Sequence, residues 1–270
     1  MTENPFSNPR RLRFLIALGN LSLFMLLSFP LSSCVSTIQM SPVAKPNQSI
    51  TYRDGVPVIA SGNNTKIEAS PKANNRQSGE RVKFYFSVYN GSTNPVNFST
   101  ENIIAKVDGK DLKVFSFDEL VAETEKQRRS NALAVALLGV AQSINAANAG
   151  NQYTTSTYKT NYYGNKGYAG SSYGTYTSHT YDPAVAAAAQ AQVNAQTSRN
   201  LREINASAEA RLSHLSNTIL KKETVYPNTW YGGLVEIEES PIPEKSNILS
   251  LNVIFAGEEA VFDFTQTKAK

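Results

Sequence analysis

The chain contains 270 residues with 26 basic and 22 acidic side chains, a formal net charge of +4, 41% hydrophobic residues and one cysteine. This composition excludes a polytopic membrane protein and a wholly disordered chain. One cysteine and two histidines exclude an internal disulfide framework and a cysteine-cluster zinc site, so we predict no metal and no cofactor.

The first predicted element is an export signal. Arginines at positions 10, 11 and 13 precede an uncharged, mainly apolar stretch that ends in small residues before Cys34. A basic head, an apolar body and a small-residue exit make a secretory signal peptide. Leu31-Ser32-Ser33-Cys34 looks like the lipobox of bacterial lipoproteins, in which the chain is cut before the cysteine and a lipid is attached to it. The resemblance implies a signal peptide over 1–33, lipidation of Cys34 and anchoring in a membrane.

The residues after the cysteine bear on location and partners. Val35 replaces the aspartate that holds members of this family at the inner membrane, so the resemblance favours the outer membrane of the cell envelope, on either face. Without residues 1–33, 23 basic and 21 acidic residues remain, a net charge of +2. Such a balance gives no support to a nucleic-acid partner. The polar composition of 34–48 predicts a flexible tether.

Strand patterns fill residues 49–117 and return over 221–270. The clearest is Arg81–Tyr89, in which alternate residues are apolar and fall on one face. Asp54-Gly55 and Asp108-Gly109 separate further predicted strands and are typical of tight hairpin turns. These two segments together hold about nine strand candidates, which predicts one antiparallel β-sandwich domain.

Short motifs in the same two segments carry a second resemblance. Val88–Ser92 with Asn94–Phe98, and Thr224–Pro227 with Tyr231–Val235, look like the immunoglobulin-like accessory domains of bacterial lipoproteins. The resemblance implies an immunoglobulin-like fold. It also implies a binding or scaffolding role rather than a defined reaction.

Helical signals occupy residues 118–220. Ser116 followed by Glu119 fits a capping box, and Asp182-Pro183 fits an N-cap with proline in the first turn. Both predicted helices are rich in alanine towards the residues that connect them, so they would pack closely as an antiparallel pair. We therefore predict an α+β fold: an immunoglobulin-like antiparallel β-sandwich interrupted by a long α-helical hairpin arm, with a Tyr/Gly-rich tip loop over 150–181.

The predicted tip loop has an unusual composition. It contains eight tyrosines, five glycines and eleven serines or threonines. Most tyrosines recur every five residues, an odd step that gives no single stripe on a strand or a helix, so no regular amphipathic element is expected. The composition fits a flexible linker, and it also fits a contact surface of the kind found in antibody paratopes. In the second interpretation the partner-binding residues are Tyr153, Tyr158, Tyr163, Tyr168, Tyr173, Tyr176 and Tyr181.

Three functional hypotheses follow. The first is a non-enzymatic, lipid-anchored envelope protein whose tyrosines contact a protein or glycan partner. The alternative is a self-assembling structural lipoprotein that oligomerises through its alanine-rich helices. The third is a hydrolase of envelope glycans that uses carboxylates such as Glu236 and Glu258, although the sequence contains no complete catalytic constellation.

Overall fold

A computed structural model describes residues 36–163 and 169–269. The predictions for the signal peptide, for Cys34 and for Tyr168 fall outside the described residues.

The described part of the chain contains strands and two long helices. In chain order they are β1 Thr37–Val43, β2 Gln48–Arg53, β3 Val56–Ser61, β4 Lys66–Pro71, β5 Asn75–Gln77, β6 Val82–Tyr89, β7 Val96–Phe98, β8 Ile103–Val107, β9 Lys110–Leu112, β10 Val114–Phe115, α1 Phe117–Asn148, β11 Asn151–Tyr163, β12 Ala169–Tyr181, α2 Pro183–Thr218, β13 Glu223–Val225, β14 Trp230–Ile237, β15 Ser246–Phe255 and β16 Glu258–Lys268.

Two six-stranded antiparallel sheets pack face to face around one apolar core. Their strand orders are β5-β1-β16-β15-β8-β9 and β10-β14-β6-β4-β3-β2. Alternate residues of β6 and β15 point into this core, because successive side chains of a strand face opposite sides of the sheet. The rings of Phe84 on β6 and Phe264 on β16 meet across the two sheets with centroids 4.8 Å apart.

Several local predictions are confirmed. Asp54-Gly55 and Asp108-Gly109 have positive φ angles and form the turns of the β2–β3 and β8–β9 hairpins. Ser116 and Glu119 form a reciprocal capping box at the start of α1, and the Asp182 carboxylate accepts hydrogen bonds from the first turn of α2. Each of these signals is local, so a few residues fix the geometry without help from the rest of the chain.

The predicted fold class is wrong. Strands form 46% of the described residues, which contain only two α-helices, so the protein is mainly β rather than α+β. The predicted tip loop is itself β structure, because β11 and β12 pair along their whole length. Threonine and tyrosine have high β-propensity, and their cross-strand pairs favour a hairpin over an irregular loop.

The tether prediction was also wrong over residues 37–43. This segment forms β1, which lies between β5 and β16 in the first sheet, with Ile38 and Met40 buried. The pairing partner of β1 is near the other end of the chain, so the local composition gave no indication of it.

The helices contact each other through small residues and are attached to the second sheet at one end. Gly139 approaches Thr197, where an added β-carbon would lie 2.9 Å from the threonine hydroxyl, and Gln190 donates a hydrogen bond to Ser143. The attachment is a separate apolar cluster, here called the anchor cluster, formed by Leu120, Leu215, Ile219 and Leu234. The distant ends of α1 and α2 lead into the β11–β12 hairpin.

Candidate binding surface

The segment between the two helices forms a long two-stranded sheet, which we call the tyrosine hairpin. Its thirteen pairs run without interruption from Asn151 opposite Tyr181 to Tyr163 opposite Ala169. At its base the backbone N–H of Asp182 donates to the carbonyl of Gly150 at 2.8 Å. This bond holds the ends of α1 and α2 together and sets the position at which the hairpin leaves the helices.

The first face of the tyrosine hairpin contains Tyr153, Tyr173 and Tyr181. Tyr153 stacks against His179 on the opposite strand, with ring centroids 4.8 Å apart. The Lys159 ammonium lies 5.2 Å from the Tyr173 ring centroid, and its hydrogen bond, with a second from Ser171, lowers the pKa of the Tyr173 phenol. This face therefore combines aromatic area with one positive charge.

The second face contains Tyr158 and Tyr176. Tyr158 lies directly opposite Gly174, and its ring covers the glycine so closely that an added β-carbon there would overlap it. Covering a strand glycine with a cross-strand aromatic ring is a known way of stabilising β-pairs. The five-residue tyrosine step thus distributes the rings over both faces instead of producing one stripe.

The tyrosine hairpin is exposed on both faces. The five tyrosines whose side chains are described in it are 51–71% exposed, and no other strand or helix in the described part of the chain packs substantially against it. Tyr163 ends β11, while Tyr168 and Cys34 lie outside the described residues. Each strand also has a free edge, where alternate backbone N–H and C=O groups face solvent and are able to pair with another strand.

A second exposed feature lies on α1, and the sequence analysis missed it. Leu133, Leu137, Val140 and Ile144 are 61–63% exposed and recur at helical spacing on one side, here called the apolar row. Among the described helices, α1 alone is long and apolar enough to cross a membrane. Its most apolar 18-residue window has a mean hydropathy of 1.3. The small residues Gly139 and Ser143 lie on another side of α1, because they contact Thr197 and Gln190 of α2.

The carboxylates proposed for hydrolysis have separate locations. Glu236 is 4% exposed and accepts from Arg81 at 3.1 Å, and it lies opposite Lys83 at the start of β6. Burial alone would lower the pKa of Arg81, but the hydrogen bonds and charges of Glu123 and Glu236 outweigh burial and raise it. Glu258 lies beside Gly62, in the turn after β3, so the structure does not bring Glu236 and Glu258 together.

The structure therefore groups Tyr153, Tyr173 and Tyr181 on one face and Tyr158 and Tyr176 on the other. Within residues 36–163 and 169–269, no group of three or more histidine, cysteine, aspartate or glutamate side chains is arranged to hold a metal ion.

No protein-family model, curated protein or solved structure matches this chain.

Proposed function

We propose that the chain is a lipid-anchored cell-envelope protein whose tyrosine hairpin binds a partner. In this proposal Cys34 carries the lipid, the two packed sheets form the body, and the helices present the hairpin away from that body. The location is the outer membrane, as the residue after Cys34 favours. The role is binding or scaffolding, without a catalysed reaction.

The observation that carries the proposal is the isolation of the tyrosine hairpin. A two-stranded hairpin with nothing packed on it is at best marginally stable in water. Here each strand has thirteen residues, both faces are exposed, and tyrosines occupy both. Tyrosine offers a large amphipathic contact area at low entropic cost, while serine and threonine supply adaptable hydrogen bonds. A bound partner would bury this surface and stabilise the hairpin.

The free edges favour a protein over a glycan as the partner. An extended peptide segment would add a strand to β11 or β12 through backbone hydrogen bonds. The tyrosines on each face would contact the side chains of that peptide. Sugar rings would stack on the tyrosines but would leave the edge hydrogen-bond groups unused.

Photocrosslinking in cells tests this proposal. A photoreactive amino acid replaces Tyr173 in the full chain, and the matched control replaces Tyr226, which is exposed to a similar degree on the body. We expect a discrete crosslinked protein from position 173 and none from position 226. Equal crosslinking from both positions, or crosslinks to glycan alone, would contradict a protein partner for the hairpin.

Lipid attachment needs its own test because residues 1–35 are not described. Cys34→Ser should abolish incorporation of labelled palmitate and move the protein from the membrane fraction to the soluble fraction. Val35→Asp, placed where the family's inner-membrane signal lies, should redirect the protein to the inner membrane. Unchanged palmitate labelling in Cys34→Ser would refute the anchor.

Self-association is a second candidate, favoured by the apolar row. Ala146 on α1 and Ala186 on α2 are buried, whereas most other alanines of the two helices are exposed. The apolar row is free within the described residues, and a second copy of α1 would bury it by side-to-side packing. This candidate therefore assigns most of the buried area to Leu133, Leu137, Val140 and Ile144, whose side chains are larger than those of the exposed alanines.

Sedimentation of the purified full chain in detergent tests self-association. The double variant Leu133→Gln and Leu137→Gln should shift an oligomer to monomer. Ile248→Gln, at an exposed apolar position of β15, serves as the control and should leave the oligomer intact. A wild-type chain that stays monomeric at all concentrations would remove this candidate.

A further inference from the structure

A cavity of about 530 Å³ lies where α1 and α2 meet the two sheets, and we call it the junction pocket. It is lined by the β4–β5 connection, the start of β6, both helices and β14. Its size falls within the usual range of small-molecule sites. Five basic side chains line it, namely Lys72, Arg76, Arg81, Lys83 and Arg211.

Two of the three acidic residues that line the junction pocket already form ion pairs. Glu123 binds Arg81 with both oxygens, at 2.9 and 2.8 Å, and Glu236 contacts Arg81 and Lys83 at 3.1 and 3.5 Å. Glu80, the third carboxylate, accepts from the backbone N–H of Gln77. Among the described residues, Lys72, Arg76 and Arg211 form no ion pair, so the pocket has an excess of positive charge.

Arg76 is the most unusual of these cations because it is 7% exposed. Its guanidinium donates only to neutral acceptors, which are the carbonyls of Gln77, Glu80 and Ser240, the Ser240 hydroxyl and the Gln266 amide oxygen. Within the described segments, its Nε–H has no hydrogen-bond partner, and neither has the amide nitrogen of Gln266. Burial lowers the pKa of Arg76, and nearby Glu239 and Glu80 counteract this only in part.

A buried cation that nearby carboxylates compensate only in part is costly. This cost falls when an anion enters the junction pocket, which Arg76 lines. A carboxylate brings one negative charge, whereas a phosphate monoester brings about −1.5 to −2 and three acceptor oxygens. Five basic and three acidic side chains line the pocket, an excess of two positive charges, so phosphate is the better match in charge and in hydrogen-bonding capacity.

We propose that the junction pocket binds a phosphate group. Arg76 would supply a fixed positive charge from the wall of the pocket. Arg211 on α2 and Lys72 after β4 are exposed, so their side chains are able to turn onto the ligand. Arg81 would keep its bonds to Glu123 and Glu236 and hold the helices against the sheet.

Calorimetric titration of inorganic phosphate into the full chain, in detergent at low ionic strength, tests this proposal. We expect saturable binding at one site per chain. Arg211→Gln and Lys72→Gln should each weaken it by about tenfold, the effect of losing one charge-assisted hydrogen bond. Their matched controls are Arg202→Gln, on the same helix, and Lys110→Gln, on β9; both residues are exposed and outside the pocket.

Absence of saturable binding would overturn the proposal, and so would equal weakening by the control variants. Thermal unfolding of each variant in phosphate-free buffer checks that folding is intact. Arg76→Gln is less informative, because the buried carbonyl, hydroxyl and amide oxygens that accept hydrogen bonds from Arg76 would lose their donor.

Two further probes separate the possible sources of the phosphate. Binding of glycerol 3-phosphate, without Arg211-dependent binding to vesicles that contain phosphatidic acid, would identify a soluble phosphate ester. Vesicle binding that is lost in Arg211→Gln and kept in Arg202→Gln would identify a lipid headgroup.

Discussion

The anchor cluster should carry much of the attachment between the helices and the sheets, and Leu120→Ala tests this. Leu120 is 0% exposed and packs with Leu215, Ile219 and Leu234. Replacing a fully buried leucine by alanine costs about 2–5 kcal/mol, from the lost transfer energy and the cavity left behind. The cluster is small and half-buried residues border part of it, so neighbouring side chains are able to move partly into the cavity. We expect a loss of about 3 kcal/mol in the free energy of unfolding.

Leu138→Ala is the matched control, because it makes the same chemical change on the same helix at a position that is 53% exposed and lies outside the apolar row. Its effect should stay within about 0.5 kcal/mol. Urea unfolding would be followed by far-UV circular dichroism for the helices and by fluorescence of Trp230, the single tryptophan, for β14. If the two variants lost equal stability, the helices would not be held by this cluster and the reasoning would be refuted.

Four further predictions concern the helix start and the tyrosine hairpin. Ser116→Ala should lower the unfolding free energy by about 1 kcal/mol in urea melts. A hydrogen bond from Lys113 and one from the Ser116 backbone lower the pKa of Glu119. The contribution of Glu119 to the unfolding free energy is therefore complete above its ordinary pKa and is lost as the pH falls through the lowered value. The unfolding free energies of wild type and Glu119→Gln should differ at neutral pH and converge in acid. Gly174→Ala would displace the Tyr158 ring and should speed amide hydrogen exchange across β11, whereas Ser172→Ala should not. Replacing residues 151–181 with a short glycine–serine linker should change the unfolding free energy of the rest by less than about 1 kcal/mol, and a larger loss would mean that the hairpin is part of the core.

Local sequence signals predicted the elements whose geometry depends on a few neighbouring residues. The Asp-Gly turns, the Ser116 capping box and the alternation in β6 all lie where the structure has them. The turns depend on residues that tolerate positive φ, the capping box on an N-cap hydrogen bond, and β6 on the two-residue period of a strand. Each of these causes involves only residues of the segment itself.

Non-local pairing explains the failures. β1 has only two buried apolar side chains, and it becomes a strand because β5 and β16 provide partners on both sides. The tyrosine hairpin has no apolar face, so periodicity gave no strand signal, and only the cross-strand register reveals that Tyr153 meets His179. The junction pocket brings Arg211 of α2 beside Lys72 and Arg76, which precede it by far in the sequence, and no spacing rule predicts such a set.

The distribution of charge along the helices separates two kinds of binding chemistry. From 130 to 198 the chain contains only Lys159, Lys166 and Asp182 as charged residues, and this stretch includes the apolar row and the tyrosine hairpin. The remaining parts of α1 and α2 are densely charged and border the junction pocket. At 0.1 M salt, the interaction between exposed charges is largely screened beyond a distance of about 10 Å. Salt has little effect on aromatic and apolar contacts.

Partner binding by the tyrosine hairpin should therefore change little between low and high salt, whereas phosphate binding at the junction pocket should weaken steeply. Measuring crosslinking from position 173 and phosphate affinity over the same salt series compares the two directly. Parallel loss of both would mean that one charged surface serves both ligands, and the separation of the two sites along the helices would have no functional meaning.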